Sequence, residues 1–484
     1  MSSSTTSAVR IRKNVLKLGS LGDDLHWYGR AVADLQARAL TDPTSWRYLS
    51  AVHGYQRAID PNPTNVPFPS NADQRQFWNQ CQHQTWYFLP WHRAYLICFE
   101  QIIAAAVIRL GGPEGWALPY WNYSDPSNNN RARLLPASFV DPTLANGTPN
   151  PLYVKGRNSS TADFQIPDAD VSLQHLTYGQ FTGGSTGVHP GFGGPQTGFS
   201  HGGHINGGIE DVPHNQIHDD IGGIMGDPRT AALDPIFWLH HANIDRLWEV
   251  WWKTRGNANP TDPNWLINQT FELHDASGNV LTFTASQVLD TTQLLHGYVY
   301  DDISDPIPAS SQLTAMAAVV APALSPEPEP AGAQEQVALD APQVTVRVAL
   351  RPNVAQAVRN RMATARPLRA FLNLENVTGS GFLPKYDVYI DVPPAGQDTG
   401  NRSPLQVGSL SLFGVAAASD PDGPQGGSGI TSVIEITQQV ELLRREGLWD
   451  ESRLHVTFRR RETGGWARAP QGNLRIGRIS VYFG

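Results

Sequence analysis

Residues 213–252 read PHNQIHDDIGGIMGDPRTAALDPIFWLHHANIDRLWEVWW. His214 and His218 stand four apart, so on a helix both imidazoles point to one face, one turn apart. Gly222, Gly223, Gly226 and Pro228 break that helix. A second is expected to open after Asp234-Pro235, with proline near its start, and to carry the adjacent pair His240-His241. Imidazoles brought together by two helices, with no cysteine nearby, make a half-site for one first-row metal ion. The residue types alone leave zinc, copper, iron and nickel open.

Working outward, the 484-residue chain exceeds the length at which one core stops growing, so at least two domains are expected. Its formal charge of −8 argues against nonspecific nucleic-acid binding. The N-terminal MSSSTTSAVRIRKNVLKLG has no apolar run of signal-peptide length, and no stretch reads as the roughly 20 apolar residues of a membrane span. Cys81 and Cys98 are the only cysteines, too few for a disulfide framework. A cytoplasmic protein with neither membrane nor nucleic-acid partner is the expectation. Charge and histidine divide unevenly. Residues 1–308 hold 19 Lys+Arg against 28 Asp+Glu, a balance of −9, whereas 342–484 hold 17 against 12, or +5. Of 15 histidines, only His455 lies beyond residue 308. Metal chemistry therefore belongs to the first part.

Helical spacing over 22–40 and a second helix carrying His53 precede a proline-rich loop. The segment NQCQHQTWYFLPWHRAYLICFEQIIAAAVIRLG follows, and from Trp91 to Leu110 it reads as a long apolar helix in the wall of a bundle. Residues 120–210 are rich in Gly, Pro, Ser and Asn and read as a long functional loop region. The Ala/Pro/Glu-rich 309–341 reads as a linker. Beyond it, VTVRVAL, KYDVYIDV, LQVGSLSLFGV, SVIEITQQV, LHVTFRR and LRIGRISVYF are short strands of an antiparallel β-sandwich or barrel. The organisation expected is a mainly α catalytic domain over 1–308, the linker, and a C-terminal β-domain over 342–484.

QCQHQTWYFLPWHRAYLICFEQ and DPIFWLHHANIDRLW together resemble the paired copper signatures of the type-3 copper family, which comprises tyrosinases, catechol oxidases and hemocyanins. The resemblance covers roughly residues 20–300. It implies a four-helix bundle holding two copper ions, with O₂ as co-substrate. Copper A would be held by His53, His83 and His92, and copper B by His214, His218 and His241, with His240 beside the site. It also implies a thioether between Cys81 and His83, as in the fungal pattern, and an aromatic shell of Phe88, Trp91, Phe237 and Trp238.

Hydroxylating a monophenol requires the phenol, with a pKa near 10, to lose its proton at neutral pH, so a general base near the entry is needed. The resemblance implies a water held by Glu210 and Asn215 for that task, which favours tyrosinase acting on small phenols, with catechol oxidase as the alternative. A hemocyanin-like carrier would have no use for the pair. Asp219, after His218, would draw the amino end of tyrosine or tyramine, or accept a further proton. Pro228 stands where plant relatives place an aromatic gatekeeper, which predicts an open entrance. KYDVYIDVP (385–393) is similar to a motif of the plant polyphenol oxidase C-terminal domain. That implies a domain covering the dicopper entrance, docked by charge complementarity and keeping the enzyme latent until the linker is cut. Phe382 or Leu383 is the expected placeholder. Tyr298 and Tyr300 match a closing element whose partner would be Arg12, by a cation–π contact.

Overall fold

In this computed structural model, residues 9–18, 23–61, 66–128, 131–158, 164–183, 189–200, 204–293, 297–307, 333–348, 369–381, 383–393, 403–423, 425–450, 453–461 and 472–483 are described. The chain divides into two units. One comprises Met1–Gln82, Tyr87–Ile166 and Asp220–Pro306, the other His83–Trp86, Pro167–Asp219 and Ile307–Gly484.

The first unit is helical. Its main elements are α1 (Asp23–Gln36), α2 (Trp46–His53), α3 (Asn71–Phe77), α4 (Phe88–Arg109) and α6 (Pro235–Glu249). Four aromatic side chains, one from each of α1, α2, α4 and α6, join them. Phe99 stacks on Trp238 at 3.4 Å, and Trp46 and Tyr28 meet Phe99 edge-on at 6.0 and 6.5 Å. Such pairs add about 0.5–1.5 kcal/mol each beyond the area they bury. The start of α6 follows its sequence: Asp234 caps it by accepting from the Ile236 amide at 3.0 Å, and Pro235 occupies the first helical position, where no N–H is missed. Helix α4 is long and apolar enough to cross a membrane, yet 83% of that stretch is buried inside the protein. It is a core helix.

The first and last strands of this unit lie side by side. Strands β1 (Arg10–Arg12) and β4 (Tyr298–Tyr300) pair in parallel, and the Arg12 guanidinium lies 3.6 Å above the Tyr298 ring while donating to the Tyr300 hydroxyl at 2.9 Å.

In the second unit two antiparallel four-stranded sheets form a sandwich among the described residues. One has the order β10 (Ile430–Glu435), β7 (Ala370–Ser380), β12 (Asn473–Phe483), β5 (Ala333–Ala338), the other β6 (Gln343–Val348), β11 (Leu454–Arg460), β8 (Tyr386–Asp391), β9 (Leu405–Ser409). Val388, Ile390, Val456, Leu372, Ile476 and Val481 supply inward-facing side chains of its core. Two expectations need correction. Strand β5 (Ala333–Ala338) falls inside the segment read as a linker and pairs with β12 (Asn473–Phe483). An edge strand needs only one packed face, and Val337 with Leu339 provide it. The stretch LQVGSLSLFGV is a strand only over β9 (Leu405–Ser409) and then turns. The segment Pro167–Asp219 also belongs to this unit rather than to the bundle. It has few helical turns of its own, and its backbone bonds to β10 (Ile430–Glu435) through Thr431, whose N–H donates to the His204 carbonyl at 2.6 Å.

Candidate metal centre

In the helical unit His53 ends α2, His92 lies in the second turn of α4 and His241 in that of α6. The His92 and His241 rings stack at 4.5 Å, and His53 lies 5.7 Å from His92 and 6.2 Å from His241. The Nδ1 of His53 faces the Pro228 carbonyl at 2.8 Å, and that of His92 the Phe88 carbonyl at 2.7 Å. Gly54 permits the first of these, since a Cβ there would sit 2.4 Å from the Pro228 oxygen. Burial pushes His53 down to about 4, so its ring is neutral. Pro228, expected at the entrance, thus orients His53 through its carbonyl. Phe237 packs 4.9 Å from His53 and 4.1 Å from His241, while Phe88 and Trp91 lie 4.6 and 4.9 Å from His92. Trp238 stands one layer further out, against Phe99. The His240 ring pairs with Tyr123 at 5.7 Å.

In the other unit His83, His214 and His218 converge, with rings 5.8 Å (His83–His214) and 4.6 Å (His214–His218) apart. His83 sits in a loop, and Gln84 after it has a left-handed φ of 58°. The Glu210 carboxylate holds that turn by accepting from the Gln84 amide at 2.8 and 3.0 Å, and also accepts from Gly207 at 3.3 Å. Burial pushes the Glu210 carboxyl up to about 8 against the pull of those amides. Asn215 Oδ1 lies 2.7 Å from His214 Nδ1. The simple one-helix picture of His214 and His218 needs amending: helix α5 (Gln216–Ile221) carries only His218. His214 lies in the irregular turn Glu210–Asn215, where Val212 is extended before Pro213.

Among the described residues two buried groups have all their ligand atoms within 4.8 Å of one another. They are His53, Cys81, His83 and His92, and His214, His218, His240 and His241. The donors fit a metal pair. With the Nδ1 atoms of His53, His92 and His214 turned to oxygen acceptors, Nε2 is the lone-pair donor of each neutral ring. Residues 43–180 and 157–254 match the common central domain of tyrosinase, and 327–484 match a domain of unknown function (DUF7868). A tyrosinase of Hahella sp. (strain CCB-MM4), HcTyr1, is 38% identical over 466 residues, covering 93% of this chain and 94% of that protein. The chain belongs to the tyrosinase family. As a member of this type-3 copper oxidoreductase family, it holds a dicopper centre that uses O₂. The chloroplastic polyphenol oxidase of Malus domestica is 30% identical over 58% of this chain, and the match spans 46% of its length. Latent apple tyrosinase shares the fold, with a TM-score of 0.59 over 100% of this chain and 99% of that one, at 21% identity.

Beyond the family's histidines, one aromatic side chain stands at the centre. The Phe413 ring stacks on His218 at 4.0 Å and 16°, and meets His83 and His214 edge-on at 5.4 and 5.6 Å. It sits at the corner of a turn in which the Val415 amide donates to the Leu412 carbonyl at 3.0 Å and Gly414 has φ 82° and ψ −10°. These are type II turn angles, and they require glycine at that position. Half-buried Asp219 accepts from the Leu412 amide at 2.8 Å and from the Phe413 amide. Burial pushes its carboxyl up to about 7, with Lys385 pulling the other way.

Of the expected placeholders, Leu383 packs against the sandwich core beside Gly379, and Phe382 lies outside the described residues. The KYDV motif has a different task. Its Lys385 ammonium lies 2.9 Å from Asp170, and Arg461 bridges Asp170 at 2.7 Å and Asp387. These pairs hold the sandwich to the 167–219 segment.

Sequence reasoning also passed over Arg93 and Asp245. The Arg93 guanidinium pairs with Asp245 at 2.5 Å and Glu249 at 2.8 Å, tying α4 to α6. Arg93 follows His92 and Asp245 lies one turn after His241, so one buried charge cluster fixes the register of both histidines. An arginine adjoining a histidine on an apolar helix was the available signal.

Proposed function

We propose that the protein is a tyrosinase that hydroxylates small monophenols and oxidises o-diphenols to o-quinones, and that its C-terminal domain keeps it latent. The observation that carries the reading is a set of three buried imidazoles in each unit, with a carboxyl group and an amide beside the set of the second. His53, His83 and His92 are the residues to hold one copper, and His214, His218 and His241 the other. His241 is preferred over His240 because its ring faces His92 and His53, while that of His240 pairs with Tyr123. Bound copper supplies two-electron redox chemistry with O₂. The chain's own residues orient the phenol, exclude water with Phe88, Trp91 and Phe237, and move the phenolic proton. Glu210, with a carboxyl displaced towards neutrality, suits a base acting through a water. Asn215 commits its oxygen to His214 and has two amide donors to hold that water.

Because Glu210 also clamps the Gln84 turn, the informative variant is Glu210→Gln, which keeps an acceptor for the Gln84 amide and loses the base. Monophenol kcat is expected to fall about 100-fold, while diphenol turnover stays within about threefold and copper content is unchanged. Equal losses on both substrates would reject the base role and leave a catechol oxidase.

The Cys81–His83 thioether belongs to this reading. Cys81 shares its cluster with His83, and its Sγ also lies 3.3 Å from His92 Nε2. Forming the link joins Sγ to a His83 ring carbon and breaks one S–H and one C–H bond. Two electrons and two protons pass to O₂. Intact mass of the copper-loaded, oxygen-exposed chain is expected two hydrogens below the reduced sequence mass, and Cys81→Ala abolishes the deficit. A chain at full mass ends the idea.

A further inference from the structure

His53 and His92 each turn Nδ1 to a backbone carbonyl, but by different means. His92 takes the Phe88 carbonyl, one turn back in its own helix, at 2.7 Å. His53 is the last residue of α2 and takes its carbonyl from Pro228, 175 residues away in the chain, at 2.8 Å. A carbonyl from so distant a turn must itself be held in place. Asp227 and Arg229, on either side of Pro228, grip one another. Arg229 Nε and Nη2 donate to the two Asp227 carboxylate oxygens at 2.8 and 2.6 Å, and the Arg229 amide donates to Oδ1 at 2.9 Å. The third guanidinium nitrogen, Nη1, donates to Gln56 Oε1 at 2.5 Å. Gln56 lies three residues beyond His53, so the fork ties the turn that supplies the carbonyl to the chain that carries the ring. We propose that Arg229 is a positioning residue, which with Asp227 and Gln56 keeps the Pro228 carbonyl on His53 Nδ1 and so fixes the tautomer that presents Nε2 to copper.

A neutral imidazole donates from one nitrogen and accepts at the other, and the bond made by one decides which. A carbonyl only accepts, so the Nδ1 that faces Pro228 carries the hydrogen and Nε2 keeps the lone pair. Stability is not what the Asp227–Arg229 pair supplies. Its side chains are 22% and 26% exposed, and ion pairs that close to solvent contribute little. Its geometry is the specific feature. A planar fork meets both carboxylate oxygens and still has a nitrogen left for Gln56, which a lysine cannot reproduce. Gly54 completes the arrangement, because a Cβ there would meet the Arg229 Cα at 2.9 Å. This role rests on the assignment of His53 to a copper ion under the proposed function. The tautomer is read on the copper-free chain, so the two can fail separately.

The test uses the full chain with isotope-labelled histidine, freed of copper, and His53→Asn to assign the His53 signal. Proton–nitrogen correlation across each ring reads its tautomer directly. In the parent, His53 is expected to carry its hydrogen on Nδ1. In Arg229→Met the Nε2–H form of His53 should become populated, while His92, served by its own helix, stays as it was. Losing an orienting partner costs roughly 10–100-fold in metal affinity. A chelator that leaves the parent with two coppers per chain should therefore leave Arg229→Met with one. Arg229→Lys, which keeps the charge and loses the fork, should follow Arg229→Met. Gln56→Leu spares the Asp227 pair, should show part of both changes, and serves if Arg229→Met does not fold. Melting temperatures of the copper-free variants should stay within about 3 °C of the parent. A His53 tautomer unchanged in Arg229→Met and Gln56→Leu overturns the proposal. So does a change shared equally by His92, which would mean general loosening. If His53→Asn holds two coppers as tightly as the parent, the copper assignment of His53 fails, and the copper half of this role with it; the tautomer then still supports or refutes the clamp.

Discussion

Replacing Phe413 with alanine is expected to raise diphenol kcat/KM of the uncleaved chain by about 10- to 100-fold. The side chain is 2% exposed, and burying a phenylalanine contributes about 1.5–3 kcal/mol. Its ring contacts with three imidazoles add about 0.5–1.5 kcal/mol more. Each 1.4 kcal/mol is a factor of ten in the ratio of covered to open centre. Substrate binds only the open state, so its apparent affinity falls by the open fraction, and truncating the plug restores it. Part of the latch survives, because the turn's amides still reach Asp219. The gain should therefore fall short of that from cutting the linker and removing the whole domain. Phe413 is not among the sandwich-core side chains, so the variant is expected to unfold within a few degrees of the parent. Steady-state kinetics on uncleaved protein, checked by intact mass, decides. A Phe413→Ala chain as latent as the parent, alongside a cleaved parent that is active, would place the block elsewhere.

The place of Phe413 was invisible in the sequence for a physical reason. SLSLFGV satisfies strand periodicity, so Phe413 reads as one more alternating apolar residue. What identifies it is Gly414 at φ 82°, and glycine in a strand pattern marks a turn, a bulge or a close approach without saying which. Helical spacing was read for His214 and His218, and the fold keeps only His218 on that helix. His53, His83 and His92, and His241 over His240, were singled out by the resemblance, since no period marks them as ligands. Strand β7 (Ala370–Ser380), central in its sheet, was missed because AFLNLENVTGS mixes polar residues into its second half. The start of β5 was missed because composition reports the cost of folding alone and not the pairing that β12 provides. The role of Asp219 shows the same limit: position beside a ligand marked it as functional, but only the fold brings the Leu412 and Phe413 amides to its carboxylate.

Loss of charge at Asp245 is expected to cost about 3–5 kcal/mol, far more than any surface ion pair in this protein. Asp245 is 3% exposed and receives Arg93 at 2.5 Å, Arg12 at 3.3 Å, and the hydroxyls of Tyr298 and Tyr300 at 2.6 and 2.5 Å. Asp245→Asn keeps the shape and removes the charge, leaving two fully buried guanidiniums to share Glu100 and Glu249. Breaking one partner of a buried pair is costly because the other charge stays out of water. For a unit of this size the melting temperature should drop by roughly 10 °C. Asp34→Asn is the comparison: its pairs with Arg38 and Arg109 lie towards solvent, and the loss should stay within about 1 kcal/mol. Burial alone would raise the Asp245 carboxyl, but Arg93 and Arg12 hold it below its ordinary 3.8. A depressed value contributes stability above 3.8 that is lost as pH falls through the lower folded value. The gap between parent and Asp245→Asn should therefore be full at pH 7 and narrow in acid. Because the same cluster joins the helices that carry His92 and His241, copper content of the variant should fall on warming before the parent's does. Denaturant unfolding at both pH values, with copper counted per chain, tests this account. A loss no larger than that of Asp34→Asn would mean that helix packing alone holds the two histidines in register.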